Sequence, residues 1–279
     1  MNRPKPPGLL ASDLDGTLAV DGFICPADRV AAGELKSRGI PLLVVTGRNP
    51  KSLEQVEGLW DVADEVLFSS GAGLLESEGA EPVGMGSLSA REVEKITAVL
   101  DEAGEDYCIL DPIPENHHFS WKRHRKALEN PDFSWRMDIY KLWGRASGGI
   151  PVSAPASQIL VVMPPGSSLS SDVEEALSPW SVFQSRSPVD HQSIWLEIFP
   201  SGMNKGSALS SWCENRNLEN SRVLALGNDF NDASMLAWAG MGRVVEGSPQ
   251  LLKSLYPVLP PAGQGGFQAA VKEALEIFV

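Results

Sequence analysis

Short apolar runs alternate with helix-like stretches at both ends of this chain. LLASD (9–13), IPLLVVTGR (40–48) and EVLFSSGAG (65–73) are continuously hydrophobic rather than alternating. Such runs mark strands covered on both faces, as in a parallel sheet. Between the first two, Ala27–Arg38 has helical spacing, with Val30, Ala31 and Leu35 on one face and Gly39 as a stop. After Asn49, Pro50 suits the first turn of another helix. The C-terminal part repeats this grammar. A helix over Lys205–Asn215 leads to strand RVLALGND (222–229), a helix from about Asp232, a short strand near GRVVEG (242–247) and a final amphipathic helix, GFQAAVKEALEIF.

The middle has another texture. It predicts helix REVEKITAVLDEAG, strand YCIL, the polar stretch DPIPENHHFSWKRHRKALENPDFSW and a helix near MDIYKLWGR. Strand SQILVVM, helix SDVEEALS and strand SVFQSRS follow. Several of these strands carry polar flanks, as a sheet with one exposed face requires. The expected class is α/β: a Rossmann-like, doubly wound parallel-sheet core over 1–77 plus 194–279, with an inserted α+β cap over 78–193 that returns at SIWLEIFPSG.

Composition narrows the function. The net charge of −13 argues against nucleic acid or an anionic membrane as partner. Phosphate chemistry on such a chain needs a local site and a helping cation. Cys25, Cys108 and Cys213 are widely spaced and odd in number, the economical reading being a reduced intracellular protein. MNRPKPPG lacks the apolar core of a secretion signal, and no run approaches the length of a membrane helix, so a soluble cytoplasmic protein is expected.

In an open parallel sheet, ligands lie beyond the carboxyl ends of the strands. Asp13 falls there, as do Thr46-Gly47-Arg48, Ser70-Gly71, Lys205 and GNDFND (227–232). On extended chain, Asp13 and Asp15 would project to one side and repel, unless a cation lies between them or one is protonated. Mg²⁺ answers that need through hard oxygen ligands. Asp13 can then attack phosphorus, while Asp15 protonates the leaving oxygen and later deprotonates water. Thr17, Thr46 and Lys205 can steady the phosphoryl oxygens, and Gly16 admits the backbone close to them.

DLDGTL, VVTGR, the Lys of SGMNKGSAL and GNDFNDASML resemble, in order and spacing, the four motifs of the haloacid dehalogenase superfamily. The end of the chain resembles the Cof-type subgroup, whose large cap lies between the second and third motifs. The resemblance implies a Mg²⁺-dependent phosphatase with Asp13 as nucleophile and Asp15 as acid/base. It implies metal ligation by Asp13, the Asp15 carbonyl and a fourth-motif side chain, for which Asn228, Asp229 and Asp232 are the candidates. Phosphate contacts fall on Thr17, Thr46, Gly47 and Lys205, and cap-side contacts on Arg48, Ser70 and Gly71. Two departures stand out: Asn228 occupies the place of the subgroup's usual Asp, and Ser70 that of an Asn.

The expected substrate is a small phosphorylated metabolite, a sugar phosphate above all. A sugar phosphomutase and a catalytically weak binding protein remain the alternatives. Asp232 also reads as a helix cap that orients Lys205. His117 and His118 beside Glu115 suggest a metal site, but adjacent histidines on a strand would face apart. The run WKRHRK (121–126) reads as a solvated helix face, and tryptophans such as Trp135, Trp143 and Trp195 as packing.

Overall fold

The structure is a computed structural model that describes residues 7–147, 154–187, 190 and 192–279. The N-terminal MNRPKP lies outside them. Two compact units emerge: one up to Met85 and from Asn204 onward, the other Gly86–Met203.

In the first unit the elements are β1 (Leu9–Ser12), α1 (Pro26–Ser37), β2 (Leu42–Val45), α2 (Pro50–Leu53), α3 (Leu59–Val62), β3 (Glu65–Phe68), β4 (Gly73–Leu75) and β5 (Val83–Gly84). The second unit holds α4 (Ala90–Ala103), β6 (Tyr107–Leu110), β7 (Phe119–Lys122), α5 (Pro131–Ile139), β8 (Gly144–Ala146), β9 (Gln158–Met163), α6 (Ser171–Leu177), β10 (Ser181–Arg186) and β11 (Ile194–Phe199). The first then resumes with α7 (Lys205–Glu214), β12 (Val223–Gly227), α8 (Ala233–Trp238), β13 (Met241–Val245), α9 (Gln250–Leu255), β14 (Val258–Leu259) and α10 (Gly266–Phe278).

The first sheet runs β14-β13-β12-β1-β2-β3-β4-β5, parallel from β14 to β3 and antiparallel over the last two pairings. Chain order reverses between β12 and β1, which makes the gap at their carboxyl ends the topological switch point. One face of the sheet buries Leu9, Ala11, Leu43 and Ala225 in a cluster with Leu209 and Trp212 of α7 and Met235 of α8. On the other side α10 runs over β1 and β12 and packs on α1. Helices on both faces explain why these strands are apolar throughout.

The second sheet runs β10-β11-β9-β6-β7-β8 and is antiparallel except for β7 with β8. Val93, Ile96 and Leu100 of α4 and Leu177 of α6 pack on one face against Ile109, Val161 and Ile198. Phe133 of α5 packs on the other, against Cys108, Leu110 and Leu160.

Several sequence expectations are corrected. The return to the core falls at Asn204, not 194, because Ile194–Phe199 pairs along its length with β10 and with β9. The departure moves from 78 to Gly86, since Val83-Gly84 pairs with β4. The helix expected near MDIYKLWGR starts earlier, at Pro131, where the Asn130 side chain accepts from the Phe133 amide. WKRHRK is no helix face: Lys122 ends β7, and Lys122, His124 and Arg125 pair with Asp101, Asp101 and Glu105. Trp195 and Trp143 pack as expected, whereas Trp135 is exposed. The three cysteines are free. Among the described residues no helix is long and apolar enough to cross a membrane.

Candidate active site

Everything at the switch point follows from how β1 ends. Asp13 leaves the sheet with its amide still bonded to the Leu226 carbonyl of β12, at 2.9 Å. The chain then turns. Leu14 is buried, its carbonyl accepts from the Leu18 and Ala19 amides, and Gly16 takes φ +73°. A Cβ on Gly16 would run into Nδ2 of Asn228, so glycine is required both by conformation and by the amide seated against it.

Beyond that turn the two carboxylates take different partners. Asp13 is buried, with Oδ1 accepting from Lys205 Nζ at 2.7 Å and Oδ2 from Thr17 Oγ1 at 3.0 Å. Asp15 is half exposed and takes the Arg48 guanidinium as a fork, Nε to Oδ2 at 2.8 Å and Nη2 to Oδ1 at 2.7 Å. Each carboxylate has its own side-chain cation. Arg48 also donates to the Ser52 carbonyl.

Lys205 opens α7, where Asn204 caps the helix, and its ammonium is fully buried. It bridges Asp13 and Asp232 Oδ1, the latter at 2.6 Å. Asp232 Oδ2 accepts from the Asn228 and Asp229 amides at 2.8 and 3.1 Å. The sequence offered Asp232 as either metal ligand or orienting cap; here both of its oxygens are taken by protein donors and none of it is exposed. Asp229 caps the 3₁₀ turn Phe230–Asp232, accepting from the Phe230 amide at 2.7 Å.

Burial pushes the Asp13 carboxyl up to about 7, and the Asp232 charge adds to the rise. Lys205 opposes it by charge and hydrogen bond, and Asp15 adds a smaller upward push. Burial alone would weaken the Lys205 ammonium, yet Asp13 and Asp232 together raise its pKa above the ordinary lysine value.

Thr46 follows β2 and is buried; its hydroxyl accepts from the Arg48 amide at 3.1 Å, shaping the 46–48 loop. Behind it, the Ser70 amide bonds the Thr46 carbonyl and the Ser69 amide the Arg48 carbonyl. Ser69 and Ser70 both sit in the left-handed region, at φ 48° and 54°, and Ser70 is buried beside Gly47. Gly71 follows at φ +100°, close under Asn204 and Ala208 of α7. Ser70 and Gly71 thus buttress the 46–48 loop, and Arg48 faces Asp15. The structure brings Asp13, Thr17, Lys205 and Asp232 of the sequence-predicted set into one hydrogen-bonded group; the Arg48 fork, which joins residues 33 apart, leaves no periodic trace in the sequence.

The cluster fits a divalent cation. Three carboxylates (Asp13, Asp15, Asp232) pair with two side-chain cations, and a buried carboxyl is driven toward protonation. Asp13 and the Asp15 carbonyl offer hard oxygen donors on one turn, the donor type that Mg²⁺ prefers, and the Asn228 side-chain amide lies against Gly16 of that turn.

A doubly wound sheet thus carries an acid–lysine–acid bridge at its switch point. The chain matches the family model of haloacid dehalogenase-like hydrolases over residues 10–143 and 153–260, and it belongs to that family. A Haemophilus influenzae protein named "Putative phosphatase" is 22% identical over 253 residues, spanning 87% of this chain and 88% of its own. Among solved structures, a phosphatase of the same superfamily from Bacteroides thetaiotaomicron is similar with a TM-score of 0.75 at 18% identity, covering 97% of this chain and 96% of that one. A subclass IIB sugar phosphatase gives 0.72 at 18%, covering 95% and 98%. Both likenesses concern the fold, an α/β core with an inserted α+β unit.

Proposed function

We propose that this hydrolase is a Mg²⁺-dependent phosphatase acting on a small phosphorylated metabolite, a sugar phosphate being the favoured class. The observation that supports it most is the buried Asp13, fixed between Lys205 and Thr17 at the end of the central strand. A carboxylate so anchored is pre-oriented as a nucleophile.

In the proposed reaction an Asp13 oxygen forms a bond to phosphorus as the ester P–O bond breaks, giving an aspartyl phosphate. Asp15 leaves the Arg48 fork, takes up a proton from solvent, and delivers it to the leaving oxygen. The same carboxylate then takes a proton from water, which attacks phosphorus, releases inorganic phosphate and restores Asp13. Lys205, Thr17 and the Thr46–Gly47 loop supply donors for the phosphoryl oxygens. Mg²⁺, held by Asp13, the Asp15 carbonyl and Asn228, would offset the surplus negative charge and ease the approach of one anion to another. Asp229 and Asp232 are assigned to shaping the turn and holding Lys205. The likeness to a subclass IIB sugar phosphatase over most of both chains supports the substrate class.

The test is phosphate release from a panel of phosphorylated sugars and p-nitrophenyl phosphate, with Mg²⁺ or with EDTA. Asp13→Asn should lower turnover by on the order of a thousandfold or more while the protein still unfolds cooperatively. Turnover that survives in that variant removes the covalent route. A phosphoenzyme that accumulates and hydrolyses only slowly would favour a mutase instead.

A further inference from the structure

We propose that the turn between β6 and β7 is a second metal site, built by Glu115, His117 and His118 for a divalent transition-metal ion of the zinc class. Among the described residues, this is where three His, Cys, Asp or Glu side chains bring their ligand atoms together, all within 4.8 Å of one another. It lies in the 86–203 unit and uses none of the groups of the proposed phosphatase site.

The strand argument that sets adjacent histidines on opposite faces fails here because β7 begins only at Phe119. Residues 111–118 form a backbone-bonded turn. The Glu115 amide donates to the Pro112 carbonyl at 2.9 Å, the His118 amide to the Glu115 carbonyl at 2.8 Å, and the Asp111 amide to the His118 carbonyl at 2.9 Å. That geometry folds the two imidazoles toward each other, with ring centroids 4.1 Å apart and planes tilted by 38°. The His117 ring is further fixed edge-on against Trp143, at 6.2 Å and 81°.

Two of the three donor separations bracket the tetrahedral value, and all three ligand atoms lie within 4.8 Å. Bonds of about 2.0–2.1 Å place tetrahedral ligand atoms about 3.3 Å apart. Glu115 Oε2 stands 3.1 Å from His118 Nδ1 and 3.8 Å from His117 Nε2, on either side of that value. Two imidazoles and one carboxylate select zinc-like ions over Mg²⁺ or Ca²⁺, which require oxygen ligands. Glu115 is largely exposed and both histidines are partly so, which leaves a fourth position open to water. The turn is held by its own backbone, so little ordering remains for the ion to impose.

The experiment titrates Zn²⁺ into the untagged full chain against a chromophoric chelator, with Mg²⁺ in large excess to occupy the oxygen-rich site. Co²⁺ absorption then reports coordination number. One zinc equivalent should bind with a four-coordinate cobalt spectrum, and His118→Gln and Glu115→Gln should each weaken it on the order of tenfold or more, at least what loss of an outer-shell partner costs. Asp13→Asn should leave that equivalent intact. Zn²⁺ should raise the unfolding temperature of the parent but not of His118→Gln, whose metal-free unfolding temperature serves as the check on folding. Zinc affinity unchanged in both variants, displacement by Mg²⁺, or loss of the zinc equivalent in Asp13→Asn would overturn the assignment.

Discussion

Lys205 is buried with two carboxylates within hydrogen-bonding distance, so each partner matters beyond its own hydrogen bond. Asp232→Asn leaves that ammonium with a single anionic partner in a buried site. The expected loss is about 3 kcal/mol of stability, measured by urea unfolding, together with reduced turnover. Asn228→Asp should preserve or strengthen Mg²⁺ dependence, read from activity against free Mg²⁺; collapse of activity would place the ion elsewhere. Asp13, Lys205 and Asp232 were legible because each sits in a short motif at the edge of a predicted element. The Asp15–Arg48 fork and the converging histidines were not, because both depend on a turn's exit direction rather than on spacing. A strand rule applied across His117 and His118 sets their rings apart, where the turn brings them together.

At the scale of elements, the continuous apolar runs announced the parallel strands, since burial on both faces removes any need for polar alternation. The antiparallel edge was harder to see. IWLEIF and the short VG strand fit either unit by composition, and only their pairing partners assign them. The Ser69–Gly71 turn shows what such joints demand: three successive left-handed residues, two of them not glycine, each of the latter costing about 1–3 kcal/mol. Gly71→Ala would add strain at φ +100° and drive a methyl into Ala208, so a loss of about 2 kcal/mol or more is expected in thermal or urea unfolding. In α4, partial burial would raise the Asp101 carboxyl, but hydrogen bonds from Lys122, Tyr107 and His124 hold it below the ordinary value of 3.8. A depressed carboxyl stabilises above its unfolded pKa and loses that contribution as pH falls through the folded one. Asp101→Asn should therefore cost about 1 kcal/mol at pH 7, with the gap to the parent narrowing only below pH 3.8.

For the whole molecule, two separate cores were legible from the change in strand texture, while the joints between them were misplaced by eight and ten residues at the two crossings. The inserted unit closes its own sheet and buries its own apolar clusters. Residues 86–203 expressed alone should fold and unfold in one cooperative step by circular dichroism; a molten chain would show that its core needs the rest of the protein. Its first and last residues also touch: a Cβ on Gly86 would stand 2.5 Å from the Met203 methyl. A module whose two ends meet at one doorway can be lengthened, trimmed or exchanged by evolution without rethreading the sheet that holds Asp13.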